Sequence, residues 1–110
     1  MITYKKITDP QLVVAGMNMD ISVIIPCLNA RKTIKECISK ICQQLDTVDL
    51  VYEIIVVDNG SSDGSDIVAK EFNAIVLYSN SSTVAGVRND GFNISRGNLV
   101  IFIDADIIIQ

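Results

Sequence analysis

The sequence contains no histidine. Histidine is the side chain whose ordinary titration falls near neutral pH. Its absence removes imidazole acid/base catalysis, Ser-His-Asp triads and His-ligated metals from consideration. Cysteine is scarce: Cys27, Cys37 and Cys42 form an odd set whose spacing fits no zinc site. Cys37 and Cys42 fall on the apolar face of an expected helix, and all three read as reduced thiols of a cytoplasmic protein. No apolar run approaches the ~18 residues that cross a membrane. Leu12 to Gly16 is too short for the core of a signal peptide, despite Lys5 and Lys6 before it. Basic residues number 9 against 13 acidic, a net charge of −4. Without a basic patch, nucleic acid is not an expected partner. An anionic ligand needs a metal, Arg88 or backbone N–H groups to offset that charge.

What is present is an apolar core: 49% of the 110 residues are hydrophobic, enough for one domain. Met1 to Asp20 reads as an N-terminal extension, partly ordered at best. Ile21 to Ile25 is a β-branched strand, which Pro26 ends or makes irregular because it has no N–H to give a ladder. Ile34, Cys37, Ile38, Ile41, Cys42 and Leu45 recur with helical spacing along one face. Tyr52 to Val57 is a second strand, continuously apolar from Ile54, and it ends on Asp58. Glu53 reads as a surface or strand-edge charge. Asn59 to Gly64 is a turn cluster in which Ser62 or Asp63 can cap a helix that faces Ile67, Val68 and Phe72 inward. Ala74 to Tyr78 is a third strand. A helix over Thr83 to Ser95 carries Val84, Val87, Gly91 and Ile94 on one stripe with Arg88 at its edge, and Arg96-Gly97 close it as a basic last turn and C-cap. Val100 to Ile103 is a fourth strand, buried on both faces. The order β-α-β-α-β-α-β predicts a mostly parallel α/β sheet with helices on both faces.

In such sheets ligands bind beyond the carboxyl ends of the strands. Pro26 to Asn29, Asp58 and Asp104 all lie at such ends, so one ligand can touch all three loops. Asp58 is placed to accept from a base N–H or a ribose hydroxyl. Arg88 offers a planar donor fork to a base carbonyl or a phosphate. Asp104-Ala105-Asp106 interrupts an apolar run with two carboxylates. An unpaired carboxylate there is costly, and a hard divalent cation is its natural partner. A cation at that position bridges phosphates and stabilises a departing nucleoside diphosphate.

Four stretches in order carry a resemblance: Ser22 to Asn29; Glu53 to Gly64; Ala85 to Gly91; and Gly97 to Asp106, with its Asp104-Ala105-Asp106. Together they resemble the N-terminal half of a family 2 glycosyltransferase with the GT-A fold, over Ile21 to Ile109. The resemblance implies a Rossmann-like, nucleotide-sugar-binding part over residues 21–110, with a UDP-sugar as donor and Mg²⁺ or Mn²⁺ as cofactor. By position it implies that Pro26 and Leu28 line the base pocket, Asp58 pairs with the base and Arg88 contacts the nucleotide. It places Asp104 by the ribose and metal, makes Asp106 a metal ligand, and has Asn29 order its loop. Leu28 stands where the family often carries an aromatic residue that stacks on the base. The family's catalytic base, an acidic residue, comes after the Asp-x-Asp and has no counterpart in this chain. The expectation is therefore a donor-binding portion of an inverting enzyme that transfers nothing alone, with an unknown glycan, lipid or protein acceptor. The full-length protein could reach a membrane through its remaining part. Ile107 to Ile109 are expected to be left exposed and to drive self-association.

Two other readings stay open: a nucleotidyltransferase-like domain, and a non-catalytic α/β fragment. The first is disfavoured by the loop after the first strand, Pro26-Cys27-Leu28-Asn29, which has no glycine. No G-x-G-x-x-G follows that strand either, which argues against a dinucleotide-dependent oxidoreductase. A phosphatase using an Asp-x-Asp nucleophile would carry it after the first strand, not the fourth.

Overall fold

A computed structural model describes residues 2–5 and 19–105. The elements are β1 (Ile2–Lys5), β2 (Ile21–Cys27), α1 (Arg31–Leu45), β3 (Tyr52–Asp58), α2 (Ser65–Glu71), β4 (Ile75–Tyr78), α3 (Val84–Ile94) and β5 (Leu99–Phe102). They form one sheet in the order β1-β5-β2-β3-β4. β5, β2, β3 and β4 are mutually parallel, as the element order predicts. β1 is an antiparallel edge strand within the segment read as an extension, and pairs Ile2 with Phe102.

Alternation along the strands divides the core. Val23, Ile25, Ile54 and Val56 pack against Ile34, Cys37, Ile38 and Ile41 of α1 and Ala69 of α2. Ile24, Ile55, Val57, Val100 and Phe102 pack against Val87 of α3 on the other face. Helices therefore cover both faces. The chain steps β2-β3-β4 one way across the sheet and returns to β5 on the far side of β2. The reversal lies between β2 and β5, where a crevice opens at the carboxyl ends of such strands.

Several local expectations are corrected. β2 runs through Pro26 to Cys27. The Ile24 carbonyl accepts from Ile103 N and the Cys27 carbonyl from Asn59 N. Alternation then turns Pro26 toward β5, whose last pair with β2 is Ile24 with Phe102. The missing N–H falls where that ladder stops, and β5 is free to turn away toward Asp104. In α2, Ile67 is exposed; Val68 and the C-cap residue Phe72 pack on the core beside the buried Ala69. Val84 and Ile94, at the ends of the α3 stripe, are exposed as well.

Gly91 is the point of closest approach between α3 and the sheet. A Cβ there would lie 2.7 Å from Cγ2 of both Ile24 and Val57. Both neighbours are β-branched and stiff. Gly91→Ala gains about 1 kcal/mol of helix propensity but overpacks a full interface, at about 1–3 kcal/mol. We expect a net loss, read as a lower urea midpoint; a midpoint above the wild-type value would contradict this packing.

Glu53 is not a surface charge. It is buried at the amino end of the sheet, paired in register with Ser22. Its carboxylate accepts from Ser22 Oγ (2.6 Å), Arg96 N (2.8 Å) and Arg96 Nε (3.1 Å). Gly97 N donates in turn to Ser22 Oγ at 2.8 Å. Arg96 and Gly97 lie beyond α3, whose C-cap is Ser95. Gly97 is required for closeness rather than for a left-handed cap: a Cβ would sit 2.5 Å from Ser22 N.

Candidate functional site

A cleft of about 480 Å³ opens at the carboxyl ends of β2, β3 and β5. Volumes of about 300–1,000 Å³ are usual for small-molecule sites. Pro26, Leu28, Asn29 and Asp104 line it, with Cys27, Ala30, Asn59, Val84, Val87 and Ala105. Leu28 is 58% exposed, an apolar side chain on the cleft wall rather than in the core. The Cys27 thiol is buried and its pKa is raised, chiefly by desolvation, so it forms a neutral wall rather than a nucleophile. Cys27, Cys37 and Cys42 carry thiols, not disulfides.

The loops after β2 and β3 hold each other. Asn29, in a left-handed conformation (φ 51°), donates its N–H to Ser61 Oγ and accepts at Oδ1 from Ser62 N, both at 2.9 Å. Ala30 N donates to Ser65 Oγ at 2.9 Å, and Arg31 N donates to Asp63 Oδ2 at 3.0 Å. Asp63 Oδ1 accepts from the N–H of Ser65 and, by a short bond, from its hydroxyl. One carboxylate thus accepts from the first N–H of α1 across the loop and of α2 from its own, while the N-cap residues themselves are Ala30 and Gly64, not Ser62 or Asp63. Sequence spacing suggested the second role but not the first.

The Ser65 hydroxyl is the main cause holding the Asp63 carboxyl below the usual carboxylate range. A lowered folded-state pKa means that this contribution is present at neutral pH and is lost as pH falls below about 4. Asp63→Ala is therefore expected to destabilise the chain at pH 7, with the gap to wild type closing as acid is added. A gap that stays constant down to pH 3 would contradict this role.

The third wall is fastened similarly. The Asn59 amide nitrogen, turned toward the loop after β4, donates to the carbonyls of Ser79 (2.9 Å) and Ser81 (3.2 Å). The hydroxyls of Ser79 and Ser81 donate to Asp90 Oδ2 on α3, at 2.6 and 2.8 Å. The bond from Ser79, then that from Ser81, holds the Asp90 carboxyl below its usual range.

Two polar atoms near this cleft have no hydrogen-bond partner among the described residues. Asp58 is 2% exposed; its Oδ2 accepts from Ser61 N at 3.0 Å, while its buried Oδ1 has no partner. Arg88 reaches across from α3 and donates from Nη2 to Asp104 Oδ1 at 3.3 Å, while its buried Nε has no partner. Neither Asp58 nor Arg88 is part of the cleft lining itself: Asp58 adjoins it through Asn59, and Arg88 through Asp104. Asp106 and Ile107 to Ile109 lie outside the described residues. Among the described residues no cluster of three or more His, Cys, Asp or Glu side chains forms a metal site. Among them, too, no helix is long and apolar enough to cross a membrane.

Residues 22–110 match Glycosyl transferase family 2. Glycosyltransferase AglE of Haloferax volcanii is 33% identical over 92 residues, covering 78% of this chain and 30% of its own length. Mannosyl-3-phosphoglycerate synthase from Rubrobacter xylanophilus superposes with a TM-score of 0.75 at 26% identity, over 84% of this chain and 32% of that one. Glucosyl-3-phosphoglycerate synthase from Mycobacterium tuberculosis, in complex with Mn²⁺, UDP and glucosyl-3-phosphoglycerate, gives a TM-score of 0.64 at 30% identity, over 79% and 33%. The chain spans under a third of the length of the curated relative.

Proposed function

The chain belongs to glycosyl transferase family 2, and from that premise we propose that its cleft is the donor site of a GT-A glycosyltransferase. The donor is a nucleoside-diphosphate sugar, in this reading a UDP-sugar. The observation that carries the reading is Asp58. A carboxylate buried to this degree, with one oxygen unanswered at the end of a parallel strand, asks for a donor group from a ligand. A base N–H supplies one, with Pro26 and Leu28 as the apolar wall beside it. Arg88 contributes the positive charge that a diphosphate or a base carbonyl needs.

The donor set also suits a divalent cation in part. Asp104 presents a half-exposed carboxylate on the cleft wall, and Asp106 would join it as a second oxygen ligand. When bound, Mg²⁺ or Mn²⁺ supplies Lewis-acid stabilisation of the departing nucleoside diphosphate. A related structure holds Mn²⁺ and UDP together. In the full enzyme an acceptor hydroxyl attacks the anomeric carbon from the face opposite the leaving group, and configuration inverts. The residues named here bind and orient the donor; none is placed to activate the acceptor. Thiols at Cys27, Cys37 and Cys42 accord with a cytoplasmic location.

The β2–α1 loop favours this reading over a nucleotidyltransferase. The N–H groups of Asn29, Ala30 and Arg31 are already taken by Ser61, Ser65 and Asp63, so the loop does not cradle phosphates. Calorimetric titration of UDP and of uridine, each with and without Mn²⁺, tests the proposal. The expected result is UDP binding that Mn²⁺ strengthens, with uridine weaker and indifferent to the metal. Equal binding of both, with no effect of Mn²⁺, would overturn it.

A further inference from the structure

Arg88 is carried by a part of α3 that the core holds weakly. Within residues 84–90 of that helix, Val87 alone is buried. One buried contact fixes a point, not an orientation, and a helix resting on it is free to roll about its axis. The second hold is polar. Asp90 Oδ2 accepts from the hydroxyls of Ser79 (2.6 Å) and Ser81 (2.8 Å). Residues two apart on a helix point roughly 200° apart. Asp90 therefore pulls on one side of α3 while Arg88 reaches from the other to Asp104.

The two serines are themselves anchored beside Asp58. Ser79 N donates to the Asp58 carbonyl at 2.8 Å, and the Asn59 amide donates to both serine carbonyls. Ser81 N closes the turn on Ser79 Oγ at 3.2 Å. Gly86 completes the seat: a Cβ there would lie 2.9 Å from Ser81 Cβ and 3.1 Å from its Oγ. Glycine inside a helix is destabilising relative to alanine. Here it lets Ser81 press against the first turn of α3.

We propose that residues 79–81 form a strut that sets the spacing of Asp58 and Arg88, and that Asp90 is a positioning residue of the donor site. Asp58 meets the base from one end of the strut, and Arg88 meets the ligand from the other. Asp90 is not part of the cleft lining; it acts by stopping α3 from rolling. The inference rests on the donor-site reading above.

The signature is dependence on Arg88. Asp90→Ala is expected to weaken UDP about five- to tenfold in the wild-type chain, the equivalent of one hydrogen bond. In an Arg88→Gln background the same change is expected to cost less than about twofold, because the group that it aims is gone. A general loss of stability would instead weaken UDP equally in both backgrounds. Asp90→Asn is expected to bind within about twofold of wild type, because one oxygen accepts both hydroxyls and the amide keeps an oxygen. Gly86→Ala tests the strut with Asp90 intact. Its methyl displaces Ser81 while raising helix propensity, so UDP is expected to weaken without loss of the fold. Calorimetric titration of UDP reads all of these on the full chain, and urea unfolding checks each variant. Equal losses for Asp90→Ala in the two backgrounds, or no loss in either, overturn the strut. Gly86→Ala that binds UDP as wild type does overturns it too. If Arg88→Gln weakens UDP in the wild-type chain in those cases, the strut fails and the donor site stands. If Arg88→Gln and Asp58→Asn both leave UDP binding unchanged, the donor-site reading fails with it.

Discussion

Glu53→Ala is expected to cost about 2–4 kcal/mol of stability, because each buried polar group stripped of its partner costs about 1–3 kcal/mol. The Ser22 hydroxyl loses the 2.6 Å acceptor it donates to, and the Arg96 N–H loses its own at 2.8 Å. The Arg96 side chain is 57% exposed and regains water, which keeps the cost below that of stranding a buried charge. Domains of this size are stable by about 5–15 kcal/mol, so such a loss is a large fraction of the whole. Glu53→Gln keeps the shape and one acceptor oxygen, and is expected to lose less. Urea unfolding followed by circular dichroism measures both. A Glu53→Ala value within about 0.5 kcal/mol of wild type, the range of an ordinary surface substitution, would contradict the network.

The second large effect is on binding. Asp58→Asn is expected to weaken UDP by about 10- to 100-fold, the equivalent of a hydrogen bond to a charged group at about 1.5–3 kcal/mol. The amide oxygen still accepts from Ser61 N, so the loop keeps its anchor. The amide nitrogen then stands where Oδ1 stood, and a donor meets the base N–H instead of an acceptor. CDP presents an acceptor at the corresponding ring position, so the variant is expected to lose its preference for UDP over CDP. Unchanged UDP affinity in this variant, with the fold intact, would remove Asp58 from the site.

These two acidic residues show what the sequence displays and what it conceals. Asp58 was visible because it closes an apolar run, and the carboxyl end of a parallel strand is where ligands bind. The α1 face was visible because Ile34, Cys37, Ile38 and Ile41 repeat with the helical period. Glu53 was concealed because its partners Ser22 and Arg96 lie 31 and 43 residues away along the chain, and the bond from Gly97 that completes the network reaches Ser22 across 75. One signal was available. Glu53 directly precedes the continuously apolar Ile54 to Val57, and a strand covered on both faces has no solvated side for a charge. Asp63 was half visible, since its bond to α2 is local while its bond to α1 depends on how two loops meet. Ile67 misled because a seven-residue helix is too short for its period to fix its face. Pro26 misled because losing an N–H matters only on the side where a neighbour remains.

The most direct measurement is amide chemical-shift mapping of UDP with Mg²⁺ on the isotopically labelled chain. The account predicts that the shifts gather at Leu28, Asn29, Asp58, Asn59, Arg88 and Asp104, around the carboxyl ends of β2, β3 and β5, and that Ser22, Glu53 and Gly97 at the other end of the sheet stay still. Saturating UDP that moves none of the first group, or that moves the second instead, would contradict it.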